Sequence, residues 1–219
     1  MTALPSQAIG INGTGGTSPL GAGASTTYSF TFDRSDFSSA VDLFVTEVSL
    51  DIASVDASAL GLQLGSLEFY LESPGAAQTL TLKGQGGNTG SNQYSAVTLT
   101  DTGVSSIDTA GGSPITGSFR PQGSGDNSLT SDITNFAGFD GLTVSSTPQT
   151  WNLQVFNNDF GVGSATLGTF TLNVDAAVPF EMETTLGLLV LGGLAGGRYW
   201  FKKQRSKLAT SGMDEPSQV

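Results

Sequence analysis

Thr150-Trp151-Asn152-Leu153-Gln154-Val155-Phe156 and, further on, Gly168-Thr169-Phe170-Thr171-Leu172-Asn173-Val174 decide the fold. In both stretches every second residue is apolar and its neighbours are amides, hydroxyls or glycine. A period of two is what a strand with one buried and one wet face requires. The reading spreads outward from there. Tyr28-Ser29-Phe30-Thr31-Phe32 alternates in the same way, as do Val41 to Leu43 and Val45 to Ile52. Leu67 to Leu71 and Thr79 to Leu82 form a pair around Ser73-Pro74-Gly75, which supplies turn chemistry. Val97 to Leu99 and Gly117 to Pro121 are shorter extended pieces, and Phe136-Ala137-Gly138-Phe139 fits one helical turn. Seven to nine short strands at this spacing, by rough count, indicate an all-β sandwich.

Trp151 falls on the apolar side of its strand with Leu153 and Val155, so it is expected in the core rather than in a ligand site. Phe69, Phe119 and Phe170 are read the same way. Residues 1–27, rich in glycine, serine, threonine and alanine, read as a flexible leader or linker. The sandwich is expected over residues 28–177.

Composition closes several function classes. Residues 1–183 carry 17 Asp and Glu against Arg34, Lys83 and Arg120, a net of −14 within a chain of net −11. Three scattered cations cannot build the basic face that nucleic acid demands. The chain has no cysteine and no histidine. Disulfides, Cys/His zinc sites and the Ser-His-Asp or Cys-His arrangements are therefore excluded. Gly84 to Gly90 lacks the Lys-Ser/Thr ending of a phosphate loop.

Two constellations remain. Asn157-Asn158-Asp159, in a glycine-rich loop, offers oxygens of the kind calcium accepts and is the candidate calcium site. Asp101, Asp108, Asp126 and Asp140 are further loop carboxylates, without the spacing of a calcium loop. Paired acids for glycoside hydrolysis need a defined separation across a cleft. A solvated acidic surface is the simpler expectation.

The end of the chain differs from the rest. Val178-Pro179-Phe180-Glu181 is followed by an apolar run from Leu186 to Phe201, interrupted by Arg198, and then by Lys202, Lys203, Arg205 and Lys207. The run is short for a bilayer span of roughly 20 residues. Arg198 can snorkel, and Tyr199, Trp200 and Phe201 suit an interfacial belt. Glycines at 187, 192, 193, 196 and 197 would weaken a soluble helix but suit close packing in a membrane. A single membrane helix over about 186–201 is expected, with the basic cluster cytoplasmic and residues 208–219 a polar tail.

In that order, V-P-F-E, L-G-L-L-V-L-G-G and the basic cluster resemble the PEP-CTERM sorting signals of bacterial surface proteins, in the PFE-type variant associated with cyanobacterial exosortases. The resemblance implies that residues 178–207 are a sorting signal, a temporary anchor in the inner membrane that an exosortase cuts. The second proline of the usual V-P-E-P is absent, and the tail beyond Lys207 is long for such a signal. The chain starts MTALPSQAIGINGTGG, with no basic residue before Arg34 and no apolar run. Export therefore leads us to expect a start further upstream.

A second resemblance covers Leu67 to Val174. L-E-F-Y-L-E-S-P-G (67–75), T-G-S-F-R-P (116–121), F-A-G-F (136–139), P-Q-T-W-N-L-Q-V-F-N-N-D (148–159) and L-G-T-F-T-L (167–172) are similar, in order, to motifs of the P/Homo B domain of subtilisin-like proprotein convertases. The family's Gly-Asp before the hairpin is Gly65-Ser66 here, and its closing tryptophan is Phe170. The resemblance implies a jelly-roll sandwich without catalysis of its own. The expected function is a non-catalytic, exported cell-surface or matrix protein, in contact with an exosortase and with extracellular polysaccharide. One alternative is a module that binds a glycan or protein through the loops after Leu82 and around Asp126. Another is a hydrolase, or a domain associated with a protease encoded elsewhere.

Overall fold

The computed structural model describes residues 6–58, 63–88, 90–123, 131–159, 161 and 163–178. The first compact unit runs to Pro179, and every residue beyond it lies outside those described. Twelve strands are named in chain order. They are β1 (Gln7–Asn12), β2 (Thr14–Gly15), β3 (Ser25–Phe32), β4 (Leu43–Asp56), β5 (Leu67–Glu72) and β6 (Thr79–Lys83), then β7 (Gln93–Leu99), β8 (Ile115–Phe119), β9 (Thr143–Val144), β10 (Gln149–Asn157), β11 (Thr166–Leu167) and β12 (Phe170–Ala177).

They form two sheets. One, of seven strands, runs β1-β12-β4-β7-β8, with β9 and β11 also paired to β4; the other, of five, runs β2-β3-β10-β5-β6. All pairings are antiparallel except β7 with β8. The two stretches that decided the fold sit in different sheets, β10 between β3 and β5 and β12 between β1 and β4. The chain is an all-β, two-sheet sandwich.

Alternation puts the apolar half of each strand inside. Phe30, Phe69, Trp151, Leu153 and Val155 from the five-stranded sheet share one core with Leu50, Ile52, Val97, Phe170 and Leu172 from the seven-stranded one. Phe170 bridges the layers, its ring centroid 4.8 Å from Tyr28 and 6.2 Å from Phe69. Burying each such ring contributes about 2–3 kcal/mol, which substitutes for the absent disulfides. Trp151 is 1 % exposed and meets the Phe139 ring edge-on at 4.8 Å, so it is a core residue as expected. Phe119 is only partly buried, packed on the margin.

Two segments differ from the sequence expectation. Residues 1–27 were expected to be a leader or linker, yet Gln7–Asn12 pairs over its whole length with β12, and Ser25 to Thr27 begin β3. Ile9 and Ile11 pack against the core margin from an edge strand whose partner lies far along the chain. Of the stretch expected as two pieces, Val41 to Leu43 and Val45 to Ile52, everything from Leu43 on is one long strand, β4, that continues to Asp56, while Val41 and Asp42 precede it and Val41 is exposed. The turn at Ser73-Pro74-Gly75 is as its residues demand: Gly75 sits at φ 71°, and Ser73 Oγ accepts the Gln78 N–H at 3.0 Å.

Candidate functional site

The candidate calcium tripeptide closes β10. Asn157 is fully buried, and its Nδ2 donates to the carbonyls of Leu20 and Gly163, both at 3.2 Å. Its Oδ1 accepts the Asp159 N–H at 3.1 Å. Asp159 turns its two carboxylate oxygens onto the N–H groups of Gly161 and Gly163, each at 3.1 Å. Asn158 donates from Nδ2 to Glu68 Oε1 at 2.5 Å and from its backbone to the Ser66 carbonyl at 2.8 Å. Asn157 and Asp159 work as loop staples, their side-chain oxygens directed at backbone donors of their own loop, while Asn158 ties that loop to Glu68 of β5. Among the described residues, no three acids group as metal ligands.

Of the other loop carboxylates, Asp126 lies outside the described residues. Asp101 caps the 3₁₀ turn Phe136–Phe139: one oxygen accepts the Phe136 N–H at 2.8 Å and the other the Ala137 N–H at 2.7 Å. Asp140 follows that turn, and burial, then the neighbouring Asp101 charge, raise its carboxyl above the usual aspartate range. Asp101 also joins two clefts. One, of about 190 Å³, is lined by Glu47, Asp101, Phe136 and Asp140; the other, about 420 Å³ and more polar, by Asp101, Ser106, Arg120, Gln122 and Asn135. The first lies against β4, and the second against the residues that follow β8. Asp108 belongs to a different place, where its carbonyl accepts the Asn88 N–H at 3.0 Å. Asn88 receives the Tyr94 hydroxyl at 2.7 Å and donates from Nδ2 to the carbonyls of Ile107 and Ala110, each at 2.8 Å. Burial, then Asp108, push the Tyr94 hydroxyl well above its ordinary range, so it stays a neutral donor.

The sequence did not single out a buried polar cluster at the β5–β6 end. Lys83 is fully buried, with its ammonium on the carbonyls of Leu67 and Gly84 at 2.8 Å and of Gly86 at 3.3 Å. Glu68, also fully buried, accepts the Tyr70 hydroxyl at 2.7 Å besides Asn158. Lys83 ends the alternating Thr79-Leu80-Thr81-Leu82, and the irregularity opposite Phe69 and Tyr70 brings it into register with Phe69. A lone lysine after such a run was the one legible signal. Ammonium donors saturated by carbonyls make this a structural clasp.

Of the sorting motif, Val178 follows β12 and packs partly against the core. Pro179, Phe180, Glu181, Arg198, Lys202, Lys203, Arg205 and Lys207 lie outside the described residues, as does the apolar run. No helix among the described residues is long and apolar enough to cross a membrane. The chain's sequence matches no protein-family model and no curated protein.

Proposed function

We propose that the chain is a non-catalytic, exported surface or matrix protein. In this reading a jelly-roll ectodomain is carried by a temporary C-terminal anchor, a single membrane helix over about 186–201 that an exosortase recognises and cuts. The observation that carries it is the coincidence of two boundaries. The last strand, β12, ends at Ala177, and the V-P-F-E signature begins at the next residue. A cut within Val178 to Glu181 would leave every hydrogen bond of the β12 ladder in place and release a complete sandwich. The absence of histidine and cysteine and the acidic, lightly charged surface are in keeping with a structural role in a hydrated matrix.

The test is the mass of the mature protein in its native host, with and without the exosortase, from membrane and medium separately. A species ending near residue 181 that disappears without the exosortase is the expected result. A full-length chain in the cytosol would overturn the reading. A second reading, an accessory binding module, is favoured by the paired clefts at Asp101, with Arg120 and Asn135 able to meet a small polar ligand.

A further inference from the structure

The open face of the five-stranded sheet is chemically unlike the rest of the surface. Thr27, Ser29 and Thr31 of β3 stand in register with Gln154, Asn152 and Thr150 of β10. All six alternate with core residues and are exposed or half-exposed. Strand spacing is about 4.8 Å and the repeat along each strand about 6.8 Å, so they form a shallow grid of hydroxyls and amides. Thr31 and Thr150 share a hydrogen bond of 2.9 Å, and Ser29 donates to Asn152 Oδ1 at 3.0 Å. The Gln154 amide and Asn152 Nδ2 have no hydrogen-bond partner among the described residues, leaving donors and an acceptor for a visitor. Phe156 ends the β10 row, half-exposed, with its ring edge-on to Tyr70 at 5.8 Å. Tyr70 and Glu68, one strand over, are fully buried, so a covered ledge borders the grid on that side. Glu72, opposite Asn152, brings a half-exposed acid to the margin of these columns.

We infer that this face binds a neutral polysaccharide chain. The chemistry selects the partner. An acidic polymer would meet a chain of net −11 and no cation on the grid. Nucleic acid and anionic lipid need cations for the same reason. A protein interface needs an apolar centre, and a second copy would bury hydroxyls around little more than Phe156. A neutral glycan supplies what the grid lacks. Its hydroxyls both donate and accept, its apolar C–H face stacks on an aromatic ring, and its repeating units can occupy successive rows of a flat surface. Each contact is weak, and the polymer gains from many. The inference stands whether or not the tail is cut.

The test is native gel electrophoresis of the purified full-length chain in a detergent without a sugar headgroup. Gels contain hydroxyethylcellulose, dextran or mixed-linkage β-glucan, with alginate as the polyanionic control. Retardation in at least one neutral glucan, unchanged by salt, is expected. Gln154→Ala and Phe156→Ala should each weaken it about tenfold, while Ser49→Ala on the outward side of the other sheet leaves it intact, with Gln154→Ala and Ser49→Ala keeping the parent melting temperature. Because Phe156 also packs on Tyr70, Gln154→Ala decides if Phe156→Ala melts early. No retardation in any neutral glucan would overturn the inference, as would retention in alginate only or retention that Gln154→Ala leaves unchanged. So would a concentration-dependent dimer that Thr27→Arg abolishes.

Discussion

The outward faces of the two sheets are built by the same alternation and carry opposite chemistry. On the seven-stranded sheet the outward positions include Glu47, Asp51 and Asp175, and Asp175 stands directly across from Glu47. Like charges facing each other across a strand pair destabilise it by a few tenths of a kcal/mol. Asp51 is better placed: it accepts Thr98 Oγ1 at 2.6 Å and Asn173 Nδ2 at 2.8 Å, which ties three strands together. On the five-stranded sheet the open columns of β3 and β10 are neutral, Glu72 lies half-exposed at their margin, and Glu68 and Lys83 are buried at the far end. One face repels itself and depends on hydroxyl and amide neighbours. The other sets no like charges opposite each other. The period of two fixes which residues face out; what those residues then do is set strand by strand.

The covered end is where this contrast breaks most severely. Lys83→Met leaves the carbonyls of Leu67, Gly84 and Gly86 without the ammonium. Each buried group so stranded costs about 1–3 kcal/mol, so a loss of about 3 kcal/mol or more is expected in urea unfolding. A loss below 1 kcal/mol would mean the clasp is not a structural anchor. Next in size is Asp101→Ala, which removes both acceptors of the Phe136–Phe139 turn. The expected cost is about 1–2 kcal/mol, with hydrogen exchange quickening first at Phe136 and Ala137.

Asp140→Asn is smaller and its sign depends on pH. The folded protein holds the Asp140 proton more tightly than the unfolded chain, because burial and then Asp101 raise that carboxyl. Such a group contributes stability in acid, below the ordinary aspartate range, and loses it as pH rises through the folded value. The asparagine variant should therefore melt higher than the parent near neutrality and equally near about pH 3. A gain that persists in acid would rule out titration as the cause. Smallest is Asp175→Asn, which relieves the repulsion with Glu47 and should stabilise by about 0.3 kcal/mol at low salt. About 1 M salt should erase it, since screening then acts over roughly 3 Å.

Much of this molecule was legible before its structure. β3, β5, β6, β10 and β12 read directly from alternation, because each buries one face against the core. β1 did not, though Ile9 and Ile11 alternate, because an edge strand shows half its side chains to water and is held by β12, a partner far away in the chain. The tripeptide Asn157-Asn158-Asp159 showed its oxygens but not their direction, and direction made them staples. Lys83 was legible only as a lone lysine closing an alternating run, since its cage is made of backbone carbonyls that carry no sequence signature. The grid on β3 and β10 was visible only as the polar half of two separate alternations. Register turned them into one surface.

The pairing of Gln7 with Ala176 brings the first and last strands of the sandwich to the same corner. Consider a mechanical load between those two ends. Because they leave side by side from an antiparallel pair, tension would fall on one β1–β12 hydrogen bond at a time and unzip the edge at low force. Load arriving at one end alone, with resistance spread over the sheet faces, would not find that weak line. A domain with this exit geometry is suited to hang from a single tether, and poorly suited to serve as a link in a stretched chain.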